Sequence, residues 1–276
     1  MLPAAFFQTF ALGGTVEICI VTMSIFVSPA FYPAAYPAAK QWLWHTTAAA
    51  IFPAIAVPWF ALPGTLALWQ DKASVATLLM LSPNDALWKA LGFSLAHFTV
   101  DGVLLAVKSK TYIQAMRKPL WMQMMAHHVL SILIWPIAFA DSVSVFAVGY
   151  FMATEVTNVM LNTRWFLVEC SVTGVLKIVW DVLFVVSYTA VRIFTIPAAV
   201  WVAYATDWAA YASHASGLDL LLTVTIIIPF ALNIFWWSLI LKGVRALFRP
   251  KEEDKKRGNE MEEEQAMCTT ADSPVG

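Results

Sequence analysis

Seven apolar runs, each long enough to cross a bilayer as a helix, constrain this chain more than any other feature of its sequence. They fall at roughly 5–28, 44–68, 88–107, 121–140, 143–162, 175–196 and 218–242, and about 20 apolar residues at 1.5 Å per residue span the hydrocarbon core. Hydrophobic residues make up 60% of the 276 and charged residues only 13%, about half the charged share of a soluble domain. The reading is therefore an all-α polytopic membrane protein of about seven transmembrane helices. A soluble enzyme or a nucleic-acid binder is excluded by the same numbers.

The connections support that reading. Asp141 and Ser142 mark a tight turn between the fourth and fifth runs, and the sixth continues past Pro197 towards Tyr204. Pro29, Pro33 and Pro37 in Ser28–Lys40 suggest an extended connector, since proline lacks the N–H that a helix interior needs. Residues 1–35 form an N-terminal span and the start of that connector, and 36–247 form the main transmembrane domain. Residues 248–276 read as a disordered charged tail, for Lys251–Gln265 has too few apolar residues to bury a core. The segment Met1–Gln8 has no basic start and reads as part of a retained span. Cys19, Cys170 and Cys268 are too far apart to suggest a disulfide framework or a redox pair.

Basic residues set the expected orientation. Fourteen of the 17 Lys and Arg fall in loops on one side, against Lys72 and Lys89 on the other. That asymmetry predicts an N-terminus outside or in the lumen and a cytosolic C-terminus. Arg192, near the far end of its run, reads as a snorkelling side chain.

Against this apolar background the ionisable residues stand out. His127 and His128 are adjacent in the fourth run, and Glu155 and Asn158 follow in the fifth. Asp101 and Asp181 lie at a similar depth, roughly 9–11 Å below the cytosolic boundary. His97 and Asn233 are up to a turn deeper, and Glu17 is nearer the middle. His97 and Asp101 share a helical face at i, i+4, as do Glu155, Asn158 and Asn162 at i, i+3, i+7, and Ser131 is one turn beyond the histidine pair. Neighbouring residues diverge by about 100° on a helix, so only one of His127 and His128 can point straight inward. Lipid offers no hydrogen bonds, so these groups should face one another or a polar cavity.

Three uses fit the residues. His127, His128 and Glu155 form a catalytic set if an imidazole takes a proton from an amine or hydroxyl attacking a thioester. His97, Asp101, Ser131, Asn158, Asn162, Asp181 and Asn233 then line the cavity, which as a lipid pocket needs no catalysis. The third use is interhelical hydrogen bonding alone, about 0.6 kcal/mol per contact. No metal is expected, since neither HxxxH nor HxH spacing surrounds His127 and His128. No cofactor is expected either, although acyl-CoA fits as a substrate.

Lys118-Pro119-Leu120-Trp121, leading to His127-His128-Val129-Leu130-Ser131, together with Thr154-Glu155-Val156-Thr157-Asn158 and its continuation to Asn162-Thr163-Arg164-Trp165-Phe166, resembles the TLC-domain family. That family groups ceramide synthases with translocating-chain-associating and ceroid-lipofuscinosis proteins. The likeness is most specific over about 117–169 and extends more weakly over about 40–245. It implies a polytopic bundle in the endoplasmic reticulum concerned with lipid synthesis, sensing or transport. In ceramide synthases a double histidine and a threonine are paired with a His-Asp-x-x-Asp segment. Here His127 and His128 match the pair and Ser131 stands for the threonine. The second segment reads Thr154-Glu155-x-x-Asn158, lacking one histidine and replacing an aspartate by an amide. The Asn162-x-Arg164-Trp165-Phe166 ending is similar to the non-synthase TLC domain-containing branch.

The resemblance implies membrane lipids as partners, with acyl-CoA or a sphingoid base if the chain is an acyltransferase of ceramide-synthase type. A cargo or translocon helper using Lys251–Gln265 is a further alternative. A homo-oligomer is compatible with all of these, and no nucleic acid is expected. Other seven-span classes fit poorly. A G-protein-coupled receptor wants a different end to its third span than Val107-Lys108-Ser109 and a different seventh-span motif than Asn233-Ile234-Phe235-Trp236. A retinal protein needs a mid-span lysine where only Lys242 appears, at the end, and a fatty-acid elongase has a third histidine where Met124 stands.

Overall fold

The computed structural model describes residues 2–33 and 36–247. Within them every regular element is helical: α1 (Ala4–Val27), α2 (Ala38–Asp71), α3 (Asp85–Val107), α4 (Ser109–Met116), α5 (Lys118–Ala140), α6 (Val145–Thr154), α7 (Thr157–Glu169), α8 (Val175–Tyr188), α9 (Ile196–Ala205), α10 (Trp208–His214), α11 (Gly217–Val224) and α12 (Ile227–Leu247). Short 3₁₀ segments lie at Ser28–Ala30 and Val75–Met80. The chain divides into two compact units, 1–231 and 232–276. Of the second, the described part is 232–247, most of α12. The expected tail, 248–276, lies outside the described residues.

Among the described residues, six helical segments are long and apolar enough to cross a membrane: Ala4–Ala30, Ala38–Asp71, Asp85–Val107, Lys118–Ala140, Val175–Ala205 and Ile227–Arg245. This is an integral multi-pass membrane protein. The fifth apolar run is present as two shorter helices, α6 and α7, parted at Glu155 and Val156. The sixth run does continue past Pro197, to Ala205, through a π segment at Thr189–Ile193. The expected connector begins with the 3₁₀ turn, and α2 starts at Ala38 because Pro37 supplies an extended residue just before it. Three prolines sit inside α2, at 53, 58 and 63, a pattern bilayer helices tolerate when neighbours take up the freed carbonyls.

The first unit is organised on α3. One stripe of α1 is buried, through Phe6, Thr9, Gly13, Glu17, Val21 and Ser24, while Phe7, Leu12, Met23 and Phe26 stay exposed as a lipid-facing surface. Small residues let α1 and α3 approach closely, as helices in lipid generally require. A Cβ on Gly92 would fall on Thr9 Oγ1 and within 2.7 Å of the Phe6 carbonyl oxygen, and one on Gly13 would lie 2.9 Å from the Phe93 ring. The following turn of each helix carries Glu17 and His97, so the glycine contact sets where those two meet. On the other side, α2 packs on α3 through Gly64. The Asn84 side chain caps α3 by accepting from Leu87 N and donates to the Gly64 carbonyl at 2.8 Å. The apolar core joins Val57, Ala61, Leu87, Leu91, Phe98, Trp135, Phe139 and Met152 from α2, α3, α5 and α6.

Candidate functional site

Two polar groups form inside the first unit, and between them they gather most of the ionisable residues singled out in the sequence. The first lies on α1, α3 and α5. His97 Nδ1 donates to Glu17 Oε1 at 2.7 Å. One turn along α3, Asp101 Oδ2 is 2.9 Å from His128 Nε2. That contact is close in distance but lacks hydrogen-bond alignment, so His128 Nε2 has no aligned partner. The other ring nitrogen, Nδ1, donates to the Met124 carbonyl at 2.8 Å. Glu17, Asp101 and His128 are 2%, 6% and 3% exposed, so all three are withdrawn from solvent and lipid alike. Ser131, one turn on from His128, is buried as well.

The adjacent histidines divide as helix geometry requires. His128 points into the group, while His127 is half-buried and packs edge-on to Phe98 and to His128.

The second group lies where α6 gives way to α7. Asn158 N–H donates to the Glu155 carbonyl, three residues back, at 2.8 Å. The Thr154 carbonyl is taken instead by Thr157 Oγ1 at 2.9 Å and by Arg192 Nη2 at 3.2 Å. The break is thus satisfied by side chains, as backbone at membrane depth must be. Arg192 also donates to Thr157 Oγ1 (2.8 Å) and Asn158 Oδ1 (3.2 Å) and lies 3.5 Å from Glu155 Oε1. Asn158 Nδ2 donates to Glu155 Oε2. Arg192 is therefore a buried centre and not the snorkelling residue expected from its place near a run's end. The π segment that carries it turns the side chain inward, and such segments recur at functional sites. The two groups are near enough to interact by charge, Glu155 with His97 and Arg192 with His127.

Other expected members lie elsewhere. Asp181 is drawn to Arg164 Nε (2.8 Å) and Lys177 Nζ (2.5 Å), its neighbours on α7 and α8. Asn162 is half-buried on α7, two turns from Glu155. Asn233 belongs to the second unit. Glu155 meets Arg192, and the carboxylate at His128 comes from Asp101. Two contributors were missed as site members in the sequence. Glu17 was noted only for its depth, and Arg192 was assigned to the interface. A buried carboxylate in a helix four residues beyond Gly13 was the available signal for the first.

Basic residues gather at one end of the helices. Lys40, at the start of α2, is 2.9 Å from Glu169 at the end of α7, and Lys108 stacks over Trp42. In the connector beside them, burial and the neighbouring Glu169 push the Tyr36 phenol up.

His45 on α2 has its own partners, Ser24 Oγ at 2.9 Å and Tyr32 Oη at 3.1 Å. A pocket at the far end of α5, lined by Ile134, Ala138, Ser144 and Asp219 among others, lies two to three turns beyond His128.

Among curated proteins, no significant match to this chain was found. The family model described as the TLC domain matches residues 38–242. That match runs through the helices that carry His97, Asp101, His128, Glu155 and Arg192, and the chain belongs to the TLC-domain family.

Proposed function

We propose that this protein binds or senses a lipid or acyl chain at the two polar groups and acts in membrane lipid homeostasis, in the endoplasmic reticulum membrane with its N-terminus luminal. One observation carries the reading. Buried ionisable and amide side chains from α1, α3, α5, the α6–α7 break and the π segment converge inside an apolar bundle. Groups of this kind are expensive in a bilayer and are usually functional there. A guanidinium held by Thr157, Asn158 and Glu155 is suited to an anionic headgroup or a fatty carboxylate. The exposed apolar faces of α8 and α1 offer acyl chains a path alongside.

The test is lipid analysis of cells lacking the protein, complemented with wild type or with Arg192→Gln. A shift in phospholipid or sphingolipid composition restored by wild type, and not by Arg192→Gln, is expected. Unchanged composition across growth conditions in the deletion would sink the reading.

A second reading is favoured by the His128–Asp101 pair. A buried histidine beside a carboxylate is the arrangement of a general base. His128 would take the proton of an amine as that amine attacks an acyl-CoA thioester, releasing the thiol, with His127 beside it. Microsomes assayed with acyl-CoA and sphingoid base decide this case: His128→Ala abolishes turnover if it holds, and equal turnover in wild type and variant eliminates it.

A further inference from the structure

The hydrogen bonds around His97 and His128 fix which ring nitrogen carries the proton in each. A carbonyl oxygen can only accept, so the 2.8 Å contact with Met124 places the His128 proton on Nδ1. The 2.7 Å contact of His97 Nδ1 with the Glu17 carboxylate places its proton likewise. In the neutral form of each ring, Nε2 then carries a lone pair. His128 Nε2 meets Asp101 Oδ2 at 2.9 Å without hydrogen-bond alignment, so with a neutral ring two acceptors face each other and a cation, proton or metal, has to stand between them. Charge points the same way. Glu17 and Asp101 place two carboxylates in a buried, apolar setting, which is costly unless positive charge, on the imidazoles or on a bound cation, accompanies them.

We propose that His97, Asp101 and His128 bind a divalent transition-metal cation, zinc foremost, through the two Nε2 atoms and the Asp101 carboxylate. One ligand atom from each of the three lies within 4.8 Å of the others. Bonds of about 2.0–2.2 Å to nitrogen and oxygen need ligand atoms roughly 3.3–3.5 Å apart in a tetrahedral shell. Two imidazoles and one carboxylate suit zinc or ferrous iron and disfavour calcium or magnesium. Glu17 is the outer carboxylate that orients His97, and the Met124 carbonyl does the same for His128, the support that metal-bound histidines ordinarily have. The cation brings the group to neutrality and leaves a fourth position for water or for an oxygen of a bound molecule.

Spacing within the fourth run gave no such signal, because the ligands come from two helices. His97 and Asp101 supply one face of α3 at i, i+4, and His128 answers from α5. The site stands independently of the lipid reading, since binding of the metal can be measured with no lipid substrate, and it excludes the general-base role of His128, because the metal takes the Nε2 lone pair that such a base would use.

The experiment uses the full chain in detergent micelles, carrying an affinity tag free of histidine, stripped with chelator and titrated with Co²⁺ and then Zn²⁺. The expected result is one Co²⁺ per chain, with visible absorption of four- or five-coordinate cobalt that Zn²⁺ abolishes by displacement. His128→Ala, His97→Gln and Asp101→Asn each remove the signal, and Glu17→Gln weakens Zn²⁺ binding about 10–100-fold. His214→Ala, on exposed α10, leaves it unchanged. Wild-type protein that binds neither ion tighter than about 10 μM, a limit well short of structural zinc affinities, overturns the proposal. So does wild-type affinity in folded His128→Ala or His97→Gln. If those variants fail to fold, zinc-edge X-ray absorption of the wild type decides: imidazole scattering from two ligands supports the site, and a shell without it overturns it.

Discussion

His128 Nε2 and Asp101 Oδ2 lie 2.9 Å apart across α5 and α3, both side chains almost wholly buried. Removing one leaves the other stranded, at about 1–3 kcal/mol for an unsatisfied buried group. Removing both takes the stranded group away as well. In a double-mutant cycle, His128→Leu and Asp101→Leu each lower stability in micelles by about that amount. The double variant then costs less than the sum of the two, as is usual for coupled neighbours. Strict additivity in unfolding measurements would show that the two residues do not interact.

The α1–α3 contact sets the position of Glu17. Gly92→Leu has no room, since even a Cβ there meets Thr9 and the Phe6 backbone. The variant is expected to lose about 1–3 kcal/mol, the usual cost of overpacking. It should also free Glu17 from His97. Gly14→Leu, one residue from Gly13 but with nothing within 4 Å of a Cβ, is expected to change stability by about 0.5 kcal/mol or less. Thermal unfolding of both variants checks the contrast, and similar losses in the two would refute the packing argument.

How much of this was legible in the sequence follows from what each signal measures. Hydropathy and length report whether a segment can cross a bilayer, so all seven apolar runs emerged as helical, but the fifth is broken into α6 and α7 and the seventh into α11 and α12. That His97, Asp101, His128 and Glu155 lie within apolar runs also follows from the sequence. Partners do not. Pairing of His128 with Asp101, and of Glu155 with Arg192, depends on rotations of α3, α5 and α8 that periodicity leaves open when a helix is apolar all round. Asp181 shared a depth with the rest yet turned to Lys177, four residues earlier on its own helix. Arg192 was misplaced because a run's end was equated with the interface. The π segment at Thr189–Ile193, which has no composition signature, turned it inward. The break at Glu155–Val156 was likewise invisible, since no proline or glycine marks it.

Arg192 holds the α6–α7 break through several donors at once, and that makes its chemistry specific. Lysine carries the charge but not the planar fork, so it can reach Glu155 or the Thr157–Asn158 pair and not both. Arg192→Lys is expected to cost about 1–2 kcal/mol, roughly one hydrogen bond to a charged group. Arg192→Leu should cost more, because Glu155 then keeps its charge without its cation. Adding Glu155→Gln to Arg192→Leu should recover part of that loss. Stability measured on the three proteins checks the order. An Arg192→Lys protein as unstable as Arg192→Leu would mean that charge counts for nothing here.

Asp141, in the exposed turn between α5 and α6, gives a pH dependence with a definite sign. Partial burial, and then the facing Asp219 carboxylate to which its protonated form donates, push the Asp141 carboxyl up from its ordinary value. The folded protein therefore holds this proton more tightly than the unfolded chain does. Stability from this pair is fully present below the ordinary carboxylate range, and it is lost as pH rises from there through the raised folded value. Asp141→Asn keeps a donor towards Asp219 without the titration, so its unfolding temperature should fall less than wild type's as pH rises from the ordinary carboxylate range through the raised value. The turn is exposed and screened, so the difference is on the order of 1 °C. Wild-type and Asp141→Asn curves that run parallel across that range would show that the two carboxylates do not share a proton.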